Sequence, residues 1–169
     1  MDHTYVINEL ERNKSVFREL LSRCSEKLRY WKTQPEKWNL LEVVCHLYDE
    51  ERDDFRSRVR HVLETPHQPM PAIDPAGWVT SRKYSEKKYD SVLDAFLAER
   101  SESVKWLRSL KEPHWTNVYQ HPSLGNMSAE LFLNNWLAHD YLHFRQITRI
   151  KFEFLKQLSG TPMDYAGNW

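Results

Sequence analysis

The chain has 169 residues, and its 24 Lys and Arg residues balance 24 Asp and Glu residues. This length predicts one domain over residues 1–169 that can bury a core without disulfides. The content of 40% apolar residues excludes a disordered chain. The zero net charge argues against nucleic-acid binding, because phosphate neutralisation normally needs a basic excess.

Two helices are predicted in the first part of the chain. Apolar residues at three- and four-residue steps predict the first helix over about residues 3–31. Pro35 then interrupts the pattern. Asn39 is the predicted N-cap of a second helix over about residues 40–63, and Glu42 completes a variant of the capping box.

Two further helices are predicted after a long connection. Four prolines between residues 64 and 78 predict an irregular segment that continues to about residue 88. The third helix is predicted over about residues 89–110. A second irregular stretch follows, and Ser128 is the predicted N-cap of a fourth helix over about residues 129–158.

This pattern predicts an all-α fold, a four-helix bundle. The connection between the second and third helices is long enough to let them run parallel, so a simple up-down-up-down order is not implied. No run of 18 apolar residues occurs, and the first residues lack the pattern of a signal peptide. Cys24 and Cys45 fall inside predicted helices and are expected to be buried free thiols, which favours a cytoplasmic location.

Two histidines in the fourth helix form a candidate metal-binding pair. His139 and His143 are four residues apart, so both imidazoles leave the same face of the helix. That spacing lets two ring nitrogens reach one ion at about 2.0–2.1 Å. Phe132, Trp136 and Ile147 share this face, so the pair is expected to point inward. The alternative is a pair of core histidines that form hydrogen bonds with neighbouring helices.

A metal site needs a third ligand, and His46 is the only other histidine well inside a predicted helix. The apolar stripe of the second helix is not centred on His46. Either that helix is buried on two faces near its start or His46 is exposed, and periodicity alone favours exposure. The ligands share a level if the N-terminal ends of the second and fourth helices lie at the same end of the bundle.

Two segments resemble the motifs of the DinB-like family. WNLLEVVCHLYD (residues 38–49) resembles its helix 2 motif, and HDYLHFRQI (residues 139–147) resembles its HxxxH motif with a following Arg–Gln pair. The resemblance covers essentially the whole chain and implies a bundle with up-down-down-up connectivity. It also implies that His46, His139 and His143 bind a divalent metal ion, with Zn, Ni and Fe all suited to imidazole ligands.

The resemblance implies a metal-dependent enzyme that acts on a small molecule. Family members are thiol-dependent transferases or isomerases, so a low-molecular-weight thiol is an expected partner. Hydrolysis is the alternative reaction. Pairing into a homodimer is also expected. The alternative is a non-catalytic binding or stress-response module with a structural or vestigial metal site. Glu50 and Asp49 lie one turn or less after His46 and are candidate catalytic carboxylates, unless they belong to a solvated acidic face.

A catalytic metal also needs an accessible pocket. We expect this pocket at the end of the bundle where the ligand-bearing helices begin, with at least one of Trp38, Trp78 and Trp169 in its wall. The C-terminal tail is expected to pack over the bundle. Arg145 and Gln146 either bind an acidic group of the substrate or lie on an exposed helix surface.

Overall fold

The computed structural model describes residues 2–167. Its helices are α1 (His3–Leu21), α2 (Glu26–Tyr30), α3 (Leu40–Asp49), a π-helical segment (Glu50–Phe55), α4 (Arg56–Glu64), α5 (Pro75–Ser81), α6 (Tyr89–Ser109) and α7 (Ala129–Ser159). Short 3-10 turns cover Tyr84–Glu86 and Asp164–Ala166. The helix α3, the π-helical segment and α4 follow one another without a break and form the second bundle helix. The four predicted helices are therefore present. No helix within residues 2–167 is long and apolar enough to cross a membrane.

The predicted N-caps of the second and fourth bundle helices are confirmed. The Asn39 side chain accepts a hydrogen bond from the Glu42 backbone N–H at 2.9 Å, and the Glu42 carboxylate accepts one from the Asn39 N–H at 2.8 Å. Ser128 Oγ accepts a hydrogen bond from the Leu131 N–H at the start of α7. These side chains satisfy backbone donors that a helix N-terminus leaves free, and they fix where both helices begin.

Substitution of Asn39 by alanine should destabilise the protein by about 1 kcal/mol, because the cap is buried and its loss leaves the Glu42 N–H without a partner. Urea unfolding followed by circular dichroism measures this change. Asp2→Ala is the matched control, since Asp2 caps α1 at an exposed chain end and its loss should matter less. An Asn39→Ala protein as stable as the wild type would contradict the capping account.

The first predicted helix is not continuous, which corrects the expectation of one helix to residue 31. The chain leaves α1 after Leu21 and starts again at α2. Ser25 accepts a hydrogen bond from the Leu28 N–H, and Arg29 Nε donates to the Cys24 carbonyl oxygen at 2.9 Å. Serine gains more at an N-cap than inside a helix, so local capping overrides the apolar periodicity here.

Both stretches predicted to be irregular contain regular structure. In the Pro-rich connection, Asp74 caps α5 and Pro75 occupies its first position, where proline is favourable because its missing N–H costs nothing. In the second stretch, β1 (Val118–His121) pairs antiparallel with β2 (Gly125–Ser128). Gly125 has φ +76°, a conformation suited to glycine in a tight turn.

Side-chain contacts fix the direction of each bundle helix. The second bundle helix runs parallel to α6 and antiparallel to α7, while α7 runs parallel to α1. Glu51–Arg100 and Arg56–Ser103 define the first direction. Glu51–Trp136 and His46–His143 define the second. Asn13–Asp140 and Leu20–Lys151 define the third. The order is therefore up-down-down-up, as the resemblance implies. It also places the N-terminal ends of the second and fourth bundle helices at opposite ends, which corrects the expectation that they lie together.

A buried network of charged groups joins the bundle helices at their centre. The Arg100 guanidinium is 1% exposed and donates to Glu51 at 2.9 Å and twice to Asp140 at 2.7 Å. Trp136 Nε1 donates to the second Glu51 oxygen, and Asn13 Nδ2 donates to Asp140. We call these five residues the Arg100 network. The patterns in the sequence do not predict this network.

The two cysteines behave as the sequence predicts. Cys24 and Cys45 are both free and both buried. Burial in apolar surroundings raises the pKa of the Cys45 thiol to about 12, so this group stays protonated and unreactive at neutral pH. Tyr165, in contrast, is fully exposed. The expectation that the C-terminal tail packs over the bundle is therefore wrong at this residue.

Candidate metal centre

Three histidines converge where α3 faces the middle of α7. The Nε2 atom of His139 lies 3.3 Å from Nε2 of His46 and 2.9 Å from Nε2 of His143. Each histidine offers one ligand atom, and the three atoms lie within 4.8 Å of one another. Two nitrogens bound to one ion at about 2.1 Å, at angles near 90–110°, would themselves be about 3 Å apart. The spacing therefore suits a single divalent ion.

The surroundings keep these imidazoles neutral. Burial lowers the pKa of His46 to about 3, with a smaller effect from His143. Burial likewise lowers the pKa of His139 to about 2 and that of His143 to about 4. A neutral imidazole carries a lone pair on one ring nitrogen, and three such lone pairs directed at one point are a typical donor set for a transition metal. The residues present therefore fit a divalent ion.

The structure explains why periodicity misplaced His46. Almost every residue of α3 is buried, so the helix is covered on all sides near its start and His46 is only 7% exposed. Of the two alternatives that the stripe leaves open, burial of the helix on more than one face near its start is therefore correct, and exposure of His46 is not. The π-helical segment begins only at Glu50, so its change of register does not affect the position of His46.

Glu50 is the carboxylate nearest to the three histidines. Its Oε1 atom lies 3.9 Å from Nδ1 of His46, and this Nδ1 has no hydrogen-bond partner among the described residues. Burial, followed by the neighbouring Asp54 carboxylate, raises the pKa of Glu50 above its ordinary value. Glu50 is thus placed to orient the His46 ring through Nδ1, as carboxylates do behind histidine ligands of metals.

Asp49 is not brought to the histidines. One of its oxygens accepts a hydrogen bond from the Tyr84 hydroxyl at 2.7 Å, and the other pairs with Arg82 at 2.7 Å. Both partners follow α5 in the chain. The contacts of Asp49 thus give it a role in attaching the Pro-rich connection, and they do not support the catalytic role predicted for it.

Trp38 forms part of the wall beside the histidines. Its ring centroid lies 4.8 Å from that of His46, and Trp38 lines a depression of about 420 Å³. This confirms the expectation that one of three tryptophans borders the site. Trp78 is buried on α5 and stacks with Arg82, while Trp169 lies outside the described residues.

One of the three histidines, His143, is reached from the surface along α7. An open groove of about 640 Å³ follows this helix and has His143 in its wall. Gln146 and Arg149 line both this groove and the depression beside Trp38, so the two are adjacent. We call the two together the histidine-side groove. It opens where the second bundle helix begins, beside the C-terminal half of α7.

Comparisons with known proteins agree with this architecture. The family model of the DinB superfamily matches residues 9–147. A solved structure of YfiT from Bacillus subtilis, described as a probable metal-dependent hydrolase with an unusual four-helix bundle topology, is similar in fold with a TM-score of 0.77. The similarity covers 95% of this chain and 89% of that chain at 16% sequence identity, which shows the fold alone. No curated protein sequence gives a significant match.

Proposed function

Because this chain belongs to the DinB superfamily, we propose that it is a divalent-metal-dependent hydrolase of small molecules, with His46, His139 and His143 as metal ligands. The observation that carries this proposal is the convergence of three Nε2 atoms, from the buried His46 and His143 and the partly buried His139, beside an open groove. Three protein ligands leave coordination positions free, which is typical of catalytic and not of structural sites. When bound, a Zn, Ni or Fe ion supplies a Lewis acid that activates water or polarises a carbonyl group.

The protein's own residues would prepare the site in three ways. Burial keeps the imidazoles neutral, so their lone pairs are available at neutral pH. Glu50 would accept a hydrogen bond from Nδ1–H of His46 after a small side-chain movement, which fixes the tautomer with a free Nε2. Trp38 and Phe55, with ring centroids 4.8 and 4.9 Å from His46 and His139, shield the flanks of the site from water.

Two observations favour an intracellular enzyme over a module with a sealed metal. His143 borders an open groove, whereas a structural site would be closed by packed side chains. The free thiols of Cys24 and Cys45 suit a reducing cytoplasm. The description of YfiT as a probable metal-dependent hydrolase adds support from a similar fold.

The test is a hydrolysis screen with untagged protein. Metal-free protein and its Zn, Ni and Fe(II) forms are assayed against chromogenic esters and amides, with and without an added low-molecular-weight thiol. We expect metal-dependent hydrolysis without thiol that is lost in His139→Ala and retained in His67→Ala, since His67 is exposed and belongs to no cluster among the described residues. Turnover only with thiol would replace the hydrolase with a transferase. A protein that binds metal and catalyses neither reaction would support the non-catalytic alternative.

A further inference from the structure

The histidine-side groove is rich in positive charge. Arg145 and Arg149 line the part that reaches His143, and Lys37 lines the part beside Trp38. Glu153 is the acidic residue of the lining. The chain as a whole is neutral, so this is a local excess of positive charge at the entrance to the histidines.

These cations have no carboxylate partner within the described part of the chain. Neither Arg145 nor Arg149 forms an ion pair among residues 2–167, and the same holds for Lys37. Arginines on other faces behave differently: Arg56 binds Glu99 at 2.6 Å, and Arg82 binds Asp49 and Asp53. The side-chain donors of Arg145, Arg149 and Lys37 therefore remain available to a ligand.

The spacing along α7 suits one small anion. Arg145 and Arg149 are four residues apart, so they are neighbours on the helix surface, about 5–6 Å apart at Cβ. Two planar guanidinium groups at this separation can bind the same carboxylate with charge-assisted hydrogen bonds. Gln146, which also lines the groove, adds amide groups between the arginines and His143. The groove volume of about 640 Å³ is in the size range of small-molecule sites.

Resting on the proposed function, we propose that the substrate is a small organic acid whose carboxylate is bound by Arg145 and Arg149. Its reactive carbonyl group then lies toward His143, and Lys37 attracts the anion from the Trp38 side of the groove. Leu142 and Trp38 provide apolar surface for the carbon chain between the two ends. The arrangement assigns Arg145 and Arg149 as specificity-determining residues, separate from the metal ligands.

The proposal is tested by binding, without any assay of turnover. Glutarate is titrated into Zn-loaded protein by isothermal calorimetry, with the uncharged dimethyl glutarate and inorganic phosphate as comparison probes. We expect glutarate to bind and the diester not to, and the Arg145→Gln/Arg149→Gln double variant to weaken glutarate binding at least tenfold with an unchanged Zn content. Arg23→Gln, an exposed arginine away from the groove, is the matched control and should bind normally.

The outcomes separate this proposal from the proposed function. Equal glutarate affinity of the wild type and the double variant would overturn the carboxylate site while leaving the metal site intact. Phosphate binding that is tighter than glutarate binding and lost in the double variant would reassign the groove to phosphorylated substrates. Loss of Zn from the double variant would contradict the claim that these arginines bind the substrate and have no part in metal binding. If hydrolysis is found, the double variant should raise KM for esters that carry a carboxylate and not for neutral esters.

Discussion

Replacement of Arg100 by methionine should lower the free energy of unfolding by about 3–5 kcal/mol, as is usual when one partner of a buried ion pair is removed. Arg100 is 1% exposed and its guanidinium contacts two carboxylates that are themselves buried, Glu51 and Asp140. Without Arg100 these carboxylates keep Trp136 Nε1 and Asn13 Nδ2 as donors but lose their only cation within the network. Urea unfolding of the metal-free protein measures the effect.

Two further variants show that the effect comes from uncompensated charge. Arg108→Met removes an exposed pair with Glu11, and we expect it to cost less than about 1 kcal/mol. Adding Glu51→Gln and Asp140→Asn to Arg100→Met removes both stranded charges and should restore much of the lost stability. A stability loss for Arg100→Met as small as that for Arg108→Met would contradict the role given to the Arg100 network.

Replacement of His46 by alanine should abolish stoichiometric metal binding. The two remaining histidines come from a single helix, so the ion would lose its only ligand from the second bundle helix. Loss of a residue behind a ligand typically weakens metal affinity about 10–100-fold, and loss of the ligand itself should exceed that range. Elemental analysis of protein purified without an affinity tag or chelator measures the bound metal.

Glu50 and His67 provide the matched comparisons for His46. Glu50→Ala should weaken metal binding within the 10–100-fold range expected of a group that orients a ligand, because Nδ1–H of His46 then loses the carboxyl oxygen that lies nearest to it. His67→Ala should leave metal content unchanged. Circular dichroism checks that each variant is folded. One metal ion per chain in folded His46→Ala protein would exclude His46 as a ligand.

The sequence predicts the four bundle helices well because each is long and strongly periodic. The caps at Asn39 and Ser128 were also predictable, since capping depends on residues three or four apart. The short elements were missed for the opposite reason. A helix that starts at Pro75 and a hairpin of two four-residue strands depend on one cap or one turn, and their proline and glycine residues also occur in irregular segments.

The candidate site was predictable only through the family resemblance. Periodicity favoured an exposed His46 because a stripe assumes one buried face, whereas α3 is buried on all sides near its start. The Arg100 network was out of reach for a different reason. Glu51 lies in a run of acidic residues and Arg100 in a charged helix, and both patterns are typical of solvated surfaces. Only the packing of four helices shows that they are buried together.

Anomalous diffraction from crystals of the untagged protein tests the metal centre most directly, with data collected at the absorption edge of the metal that elemental analysis identifies. The account predicts one peak per chain, about 2.0–2.2 Å from the Nε2 atoms of His46, His139 and His143, with its open side toward the histidine-side groove. Stoichiometric metal located anywhere else, or bound without His46, would contradict it.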